Sequence, residues 1–188
     1  MFRIAASFVL VVLPSAAQQP YSRHVRDYAN SLAPYVSSPQ QIVDKMLETA
    51  QIKPGETIFD LGCGDGRILF TAAERYRAKA VGVEISENLV KVVNEAIKQR
   101  NLQEQVQVIH GNLMKVNLAS ADVVTIYLET GSNDLLRPNL ERDLRHGARV
   151  VSHDFVVPGW KASRVETIDA FKRSHTIYLY EMPQRAKK

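Results

Sequence analysis

A glycine-rich loop that begins at Asp60 holds the residues whose types and spacing suggest chemistry. Asp60 lies in an apolar run, and Gly62, Gly64 and Gly66 follow it at alternate positions. Glycine lets a backbone turn tightly and approach a ligand closely, because it has no side chain to block the contact. In loops that bind dinucleotides the third glycine comes one residue later, at the position of Arg67. The spacing therefore predicts a ligand of another kind.

The acid in the loop indicates the charge of that ligand. A carboxylate at Asp60 repels the pyrophosphate of a dinucleotide and attracts a cation. S-adenosyl-L-methionine carries a sulfonium and an α-ammonium on its methionine half. The charge pattern therefore favours S-adenosyl-L-methionine as the cofactor, and methyl transfer over hydride transfer.

Alternating strand and helix patterns surround the loop. The predicted strands span 57–61, 80–85, 106–109, 122–128 and 149–153, and the predicted helices span 67–76, 87–100 and 133–144, the last perturbed at Pro138. Two further strands between 164 and 180 close the chain, with a turn near 172–174. This order predicts an α/β fold with a doubly wound, mostly parallel seven-stranded sheet and a C-terminal antiparallel hairpin.

A further helix is predicted to start at Ser38. The serine hydroxyl suits an N-cap, Pro39 suits the first turn, and Gln41 completes a capping box.

Length and composition indicate one globular domain whose two ends differ in character. Of the 188 residues, 45% are hydrophobic and 23% are charged. An apolar run over 4–13, followed by small residues up to Ala17, predicts a signal peptide or short anchor over 1–17. The run is shorter than the roughly 20 residues of a spanning helix. We expect a lead-in segment over 18–37, the catalytic domain over 38–183, and a basic tail over 184–188.

The signal-like segment predicts an exported or membrane-associated protein, periplasmic if bacterial. If the segment is not functional, the protein stays in the cytoplasm, where S-adenosyl-L-methionine is made. The single cysteine, Cys63, cannot form an intrachain disulfide, and we interpret it as a small residue in a tight loop. The five histidines are scattered, so no metal site is predicted. The sequence carries no signal for an oligomeric state.

Several segments resemble one known family. The segments D-L-G-C-G-D-G at 60–66, V-G-V-E-I-S at 81–86 and H-G-N-L at 110–113 are similar to class I S-adenosylmethionine-dependent methyltransferases over about 34–160. More narrowly, P-Y-V-S-S-P-Q, L-R-P-N-L and G-A-R-V-V-S-H-D-F resemble bacterial relatives of the mitochondrial protein-lysine methyltransferases. The resemblance implies a Rossmann-like methyltransferase fold and a protein substrate, with a membrane-associated protein as one option.

The resemblance also implies roles for the loop and its surroundings. Asp60, Gly62 and Gly64 would bind the methionine portion of the cofactor, and Gly66 would help close the turn. Glu84, at the end of the second strand, would accept hydrogen bonds from the ribose hydroxyls.

Two further residues are implied to lie near the cofactor. Asn112 stands where the class usually has an aspartate facing the adenine amine, and its amide oxygen can also accept from that amine. Tyr35, ahead of the first helix, is interpreted as covering the cofactor or as packing.

The candidate catalytic residues follow the fourth strand. Methyl transfer needs the lone pair of the acceptor aligned with the methyl group. Glu129 is predicted to orient a lysine ammonium or relay its proton, and Tyr127 to wall the acceptor channel. The alternative interpretation is an edge-of-core tyrosine and an exposed acid. The subgroup usually has a shorter, proline-containing ending here, so Glu129 departs from its pattern.

The predicted function is N-methylation of a protein lysine. The alternatives are a small-molecule methyltransferase and a non-catalytic S-adenosylmethionine-binding protein. Methylation of nucleic acid is disfavoured, because residues 125–130 lack the N-P-P-Y type of tetrapeptide that holds an exocyclic amine. His153 and Asp154 are interpreted either as a local acid–base pair or as a structural strand end.

Overall fold

The computed structural model describes residues 32–183. The predicted signal segment, residues 18–31 of the lead-in and the basic tail lie outside the described residues. The strands are β1 Thr57–Leu61, β2 Lys79–Glu84, β3 Val106–His110, β4 Val123–Ile126, β5 Arg149–His153, β6 Arg164–Ala170 and β7 Arg173–Glu181. The helices are α1 Gln40–Thr49, α2 Arg67–Tyr76, α3 Glu87–Gln99 and α4 Thr130–Asp143, with a 3₁₀ turn over Leu113–Lys115.

The strands form one seven-stranded sheet in the order β3-β2-β1-β4-β5-β7-β6. Strands β1 to β5 are parallel, and β7 runs antiparallel between β5 and β6. The predicted fold class is therefore confirmed. From β1 the strand order runs to β2 and β3 on one side and to β4 and β5 on the other. This reversal opens a crevice beyond the carboxyl ends of the strands.

The sheet separates two hydrophobic layers. Helices α1, α2 and α3 contribute to the layer on one face, and α4 contributes to the other. Along β1, Ile58 belongs to the first layer and Phe59 and Leu61 to the second. Because side chains alternate along a strand, Asp60 faces the layer of Ile58, where an apolar side chain is the usual occupant.

The predicted helix cap at Ser38 is wrong. Helix α1 begins at Gln40, its N-cap position is Pro39, and no side chain caps it. The hydroxyl of Ser38 lies 3.0 Å from Nδ1 of His153 instead. A buried imidazole nitrogen needs a partner, whereas exposed helix-end N–H groups can bond to water, so the tertiary contact takes the hydroxyl.

Helix α4 starts earlier than its periodicity predicts. It begins at Thr130, directly after Glu129, and it retains Pro138 in its interior. Asn133 in its first turns is fully buried and donates to the carbonyls of Phe155 and Val156 at 3.3 and 3.1 Å. These bonds fix the loop after β5 against the start of α4. Within residues 32–183, no helix is long and apolar enough to cross a membrane.

Candidate active site

The glycine loop turns between the end of β1 and the start of α2. Gly62, Gly64 and Gly66 have φ angles of +86°, +55° and +78°, a region that favours glycine. A Cβ atom on Gly64 would lie 2.5 Å from Cε2 of Tyr35. Glycine is therefore favoured at these positions by the backbone conformation, and at Gly64 also by close packing.

Glu84 holds the loop from the neighbouring strand. One carboxylate oxygen accepts from the N–H of Gly64 at 2.9 Å, and the other accepts from the N–H of Ser86 at 2.8 Å. The side chain is buried, with 8% of the residue exposed. Each carboxylate oxygen has a second lone pair, so both can still accept from a ligand hydroxyl.

Asp60 is a buried acid beside this loop. Only 4% of the residue is exposed, and the hydroxyl of Thr125 donates to its Oδ1 at 2.8 Å. Burial raises the pKa of Asp60 to about 7, the charges of Glu84 and Asp65 add to this effect, and the Thr125 hydrogen bond opposes it. A cationic ligand beside Asp60 would favour its carboxylate form.

The outer side of the loop is closed by charged groups. Nε of Arg67 donates to Oδ1 of Asp65 at 2.9 Å, and its Nη1 donates to the carbonyl of Ser38 at 2.6 Å. Burial acts to raise the pKa of Asp65, but the hydrogen bonds and charge of Arg67 and a hydrogen bond from Tyr35 lower it overall. Tyr35 is 51% exposed while its ring lies over Gly64. The segment before α1 therefore packs on the loop, and the covering of a cofactor by Tyr35 stays a prediction.

Cys63 is buried beneath the loop. Its side chain approaches Gly82 of β2 so closely that a Cβ there would lie 2.6 Å from its Sγ. Burial raises the pKa of its thiol, and the charges of Asp60 and Glu84 raise it further. The thiol is therefore a packing group, as expected.

Asn112 follows the end of β3. Its Oδ1 accepts from the N–H of Met114 at 2.8 Å and so caps the 3₁₀ turn. One lone pair of the amide oxygen is thus used, and the second is available to an adenine amine.

The two candidate catalytic residues differ in their surroundings. Tyr127 is half-buried after β4, and its ring stacks on the imidazole of His153 with centroids 3.9 Å apart. The ring of Phe155 lies 6.1 Å from it. Glu129 is exposed at the N-terminal boundary of α4, and its side chain does not cap the helix. The structure thus places a stacked aromatic ring and a solvent-facing carboxylate two residues apart.

A polar cluster that spacing did not predict lies behind Tyr127. Nε2 of His153 is 2.9 Å from Nδ1 of His175, and that nitrogen is 3.0 Å from Oδ2 of Asp154. His175 comes from β7, and only the pairing of β5 with β7 brings it here. Burial lowers the pKa of His153 to about 4, although the charge of Asp154 opposes this, so the imidazole is neutral at pH 7.

The ligand atoms of His153, Asp154 and His175 lie within 4.8 Å of one another, a grouping that can hold a metal ion. Arg173 donates to the Asp154 carboxylate, however, and its Nε donates to Nε2 of His175 at 3.2 Å. The positive charge of the guanidinium disfavours a metal cation at the same carboxylate. The cluster is therefore better described as a hydrogen-bonded network.

Comparison with known proteins identifies relatives of the chain. Residues 60–164 match a family described as the ANTKMT methyltransferase domain. A protein-lysine N-methyltransferase of Saccharolobus islandicus is 40% identical over 148 residues, which cover 78% of this chain and 92% of that protein. The adenine nucleotide translocase lysine N-methyltransferase of Mus musculus is 32% identical over 128 residues, which cover 68% of this chain and 56% of the mouse protein.

A solved structure agrees in both sequence and fold. The RNA methyltransferase from Salinibacter ruber, determined in complex with S-adenosyl-L-homocysteine, is 37% identical with a TM-score of 0.74. The match covers 81% of this chain and 97% of that one. These relatives confirm the predicted resemblance to methyltransferases and to the protein-lysine subgroup.

Proposed function

We infer that this chain, which belongs to the ANTKMT methyltransferase domain family, is an S-adenosyl-L-methionine-dependent enzyme that methylates a lysine nitrogen of a protein. The observation that carries this function is the 40% identity to a protein-lysine N-methyltransferase along 92% of that relative's length. The mouse relative, 32% identical, is likewise a lysine N-methyltransferase by name.

The donor side of the site fits this cofactor. A Cβ atom on Gly64 would clash with the Tyr35 ring, so glycine lets the segment before α1 pack on the loop. The buried Asp60 gains a counter-charge from a sulfonium or ammonium, and Glu84 keeps lone pairs for ribose hydroxyls. When bound, S-adenosyl-L-methionine supplies an electrophilic methyl group on its sulfonium.

The acceptor side fits an amine that arrives protonated. A lysine must lose its proton before its nitrogen can attack, which costs about 4–5 kcal/mol at pH 7 from a pKa near 10.4. The carboxylate of Glu129 is exposed, and in this proposal it attracts the ammonium and receives or relays its proton. The rings of Tyr127 and Phe155 have centroids 6.1 Å apart, and burial of a lysine side chain against them would lower its pKa by desolvation.

RNA is the competing acceptor, because the Salinibacter ruber relative is described as an RNA methyltransferase. Phosphate backbones are bound mainly by Lys and Arg. In this chain the exposed side chain next to Tyr127 at the acceptor end is the acid Glu129, and the segment T-I-Y-L-E-T at 125–130 lacks the tetrapeptide that holds a base amine. These features support lysine over RNA.

We also propose that the enzyme is exported or attached to a membrane. The apolar run over 4–13 and the small residues before Gln18 support export or membrane attachment of the enzyme. A reporter enzyme that is active only outside the cytoplasm, fused after Ala17, tests this directly. Reporter activity supports export, and a cytoplasmic reporter contradicts it.

Labelled methyl transfer tests the function. The purified chain is incubated with S-adenosyl-L-methionine labelled in its methyl group and, in separate arms, with total protein, total RNA and a small-molecule extract from the source cells. Protein acceptors are then hydrolysed, and methyl-lysine is identified by mass spectrometry. Gly64→Arg serves as the inactive control, since its side chain would enter the space under Tyr35.

Methyl-lysine formed by the unchanged chain and absent from the Gly64→Arg reaction supports the proposal. If label appears only in RNA or in a small molecule, that molecule is the acceptor and a protein lysine is not. If calorimetry detects no binding of S-adenosyl-L-methionine at all, the enzyme assignment itself fails.

A further inference from the structure

Ser38 contacts both halves of the site. Its carbonyl accepts from Nη1 of Arg67 at 2.6 Å, and Arg67 in turn pairs with Asp65 in the glycine loop. Its hydroxyl lies 3.0 Å from Nδ1 of His153, at the end of β5. Ser38 is 6% exposed. One buried residue thus bridges the donor loop and the strand ends on the acceptor side.

His153 is held on both edges of its ring. Ser38 lies at Nδ1, and His175 lies at Nε2 at a distance of 2.9 Å. The face of the same ring stacks on Tyr127, with an interplanar angle of 29°. An imidazole that is hydrogen-bonded at both nitrogens cannot rotate without losing a bond, so its face is a fixed platform for the tyrosine.

The neighbours of the two histidines form one hydrogen-bonded network. Oδ2 of Asp154 lies 3.0 Å from Nδ1 of His175 and 3.3 Å from Nε2 of His153, and Nε of Arg173 donates to Nε2 of His175 at 3.2 Å. These contacts are compatible with either neutral tautomer of His153. A hydroxyl can donate and accept, so Ser38 can pair with Nδ1 of His153 in both.

We propose that Ser38 is a positioning residue: through its hydrogen bond with Nδ1 of His153 it fixes the imidazole against Tyr127, and through Tyr127 it sets the shape of the acceptor channel. The importance of Tyr127 in this inference rests on the proposed function. The contact is unrelated to helix capping, because the Ser38 side chain makes no cap bond to α1.

Replacing Ser38 by alanine separates its two contacts. The variant loses the hydroxyl and leaves Nδ1 of His153 without its Ser38 partner, while the backbone carbonyl that holds Arg67 remains. We expect kcat to fall about fivefold to tenfold, because small displacements of a positioned group are costly in rate. The dissociation constant for S-adenosyl-L-methionine should stay within about twofold, since the loop contact is unchanged.

Fluorine NMR tests the inference without any acceptor. The full chain is labelled with 3-fluorotyrosine, and the Tyr127 signal is assigned by its loss in Tyr127→Phe. Ser38→Ala should shift or broaden that signal and leave the signal of the distant Tyr76 in place. The adjacent Ser37→Ala is the matched control, and Ser38→Thr, which keeps a hydroxyl, should restore the native position. An unmoved Tyr127 signal in Ser38→Ala overturns the inference.

A kinetic cycle tests the same link in the reaction. If Ser38 acts through Tyr127, Ser38→Ala should lower kcat in the native background and change it little in a Tyr127→Leu background. Equal losses in both backgrounds overturn the inference. Absence of methyl-lysine formation by the unchanged chain would instead contradict the proposed function, and the fluorine signal of Tyr127 still decides whether Ser38 positions that ring.

Discussion

The hydroxyl of Thr125 in β4 donates a 2.8 Å hydrogen bond to the carboxyl of Asp60, its register partner in β1. Both residues are buried, and the carboxyl lies where the sheet usually presents an apolar side chain to the helices. One hydrogen bond offsets only part of the cost of burying a carboxylate. We therefore expect a cationic ligand beside Asp60 to favour its ionised form.

We expect binding of S-adenosyl-L-methionine to depend on pH through Asp60. Its pKa is raised to about 7 in the free protein, and the cationic ligand binds the carboxylate form. Affinity should therefore weaken as pH falls below 7, approaching tenfold per pH unit, and should level off above 7. Calorimetry between pH 5 and pH 7.5 measures this. An affinity that stays constant across this range would contradict the role of Asp60.

Asp60→Asn should remove that pH dependence and weaken binding at pH 7.5. The effect of pH on folding stability has the opposite sign to its effect on cofactor affinity. Because the pKa of Asp60 is higher in the folded than in the unfolded protein, the free energy of unfolding falls as pH rises from about 4 to about 7. Asparagine avoids the buried charge and can still accept from Thr125, so the melting temperature of the free variant at pH 8 should rise. Asp169→Asn, at an exposed acid of β6, is the matched control.

Thr125→Val should move the pH dependence upward. Valine has nearly the same shape but donates no hydrogen bond, so the Asp60 carboxylate loses the interaction that lowers its pKa. The midpoint for S-adenosyl-L-methionine binding should rise above that of the native chain, with little loss of affinity well above the new midpoint. A midpoint that moves downward would show that Thr125 does not favour the carboxylate.

Gly64→Ala should weaken cofactor binding about tenfold or more. The added Cβ would lie 2.5 Å from the Tyr35 ring, and the φ of +55° is unfavourable for alanine by about 1–2 kcal/mol. Gly131→Ala, with no atom within 4 Å of the new Cβ, should bind as the native chain does. Adding Tyr35→Ala to Gly64→Ala should recover only part of the loss, because the backbone strain persists. Equal cofactor affinities of Gly64→Ala and Gly131→Ala would contradict the close-packing argument.

Glu129→Gln should slow methyl transfer while leaving the cofactor affinity within about twofold. The amide keeps the size of the side chain and removes the charge that attracts the ammonium and takes up its proton, so kcat should fall about tenfold or more. Steady-state kinetics and calorimetry separate the two effects. Glu104→Gln, at an exposed site ahead of β3, is the control. An unchanged kcat would remove Glu129 from the mechanism.

Short-range patterns were sufficient where neighbouring residues determine the conformation. Strand β1 and helix α2 have their predicted bounds, since an apolar run, three glycines and an amphipathic segment follow one another without a break. The loop glycines form the predicted tight turn, with positive φ angles at all three positions. Ser38 shows where such reasoning stops: its local pattern predicts a helix cap, but a partner 115 residues away takes the hydroxyl.

By itself, the sequence determined the fold class and the grouping of Asp60, the glycines and Glu84 around one loop, because these residues lie on consecutive elements of a βαβ unit. Only the tertiary structure decided the surroundings of the acceptor half. His153 joins Ser38 across 115 residues and His175 across 22, through helix packing and the antiparallel insertion of β7. Strand order in a sheet depends on how elements from the whole chain bury its two faces, so no local pattern of residue types predicts these contacts.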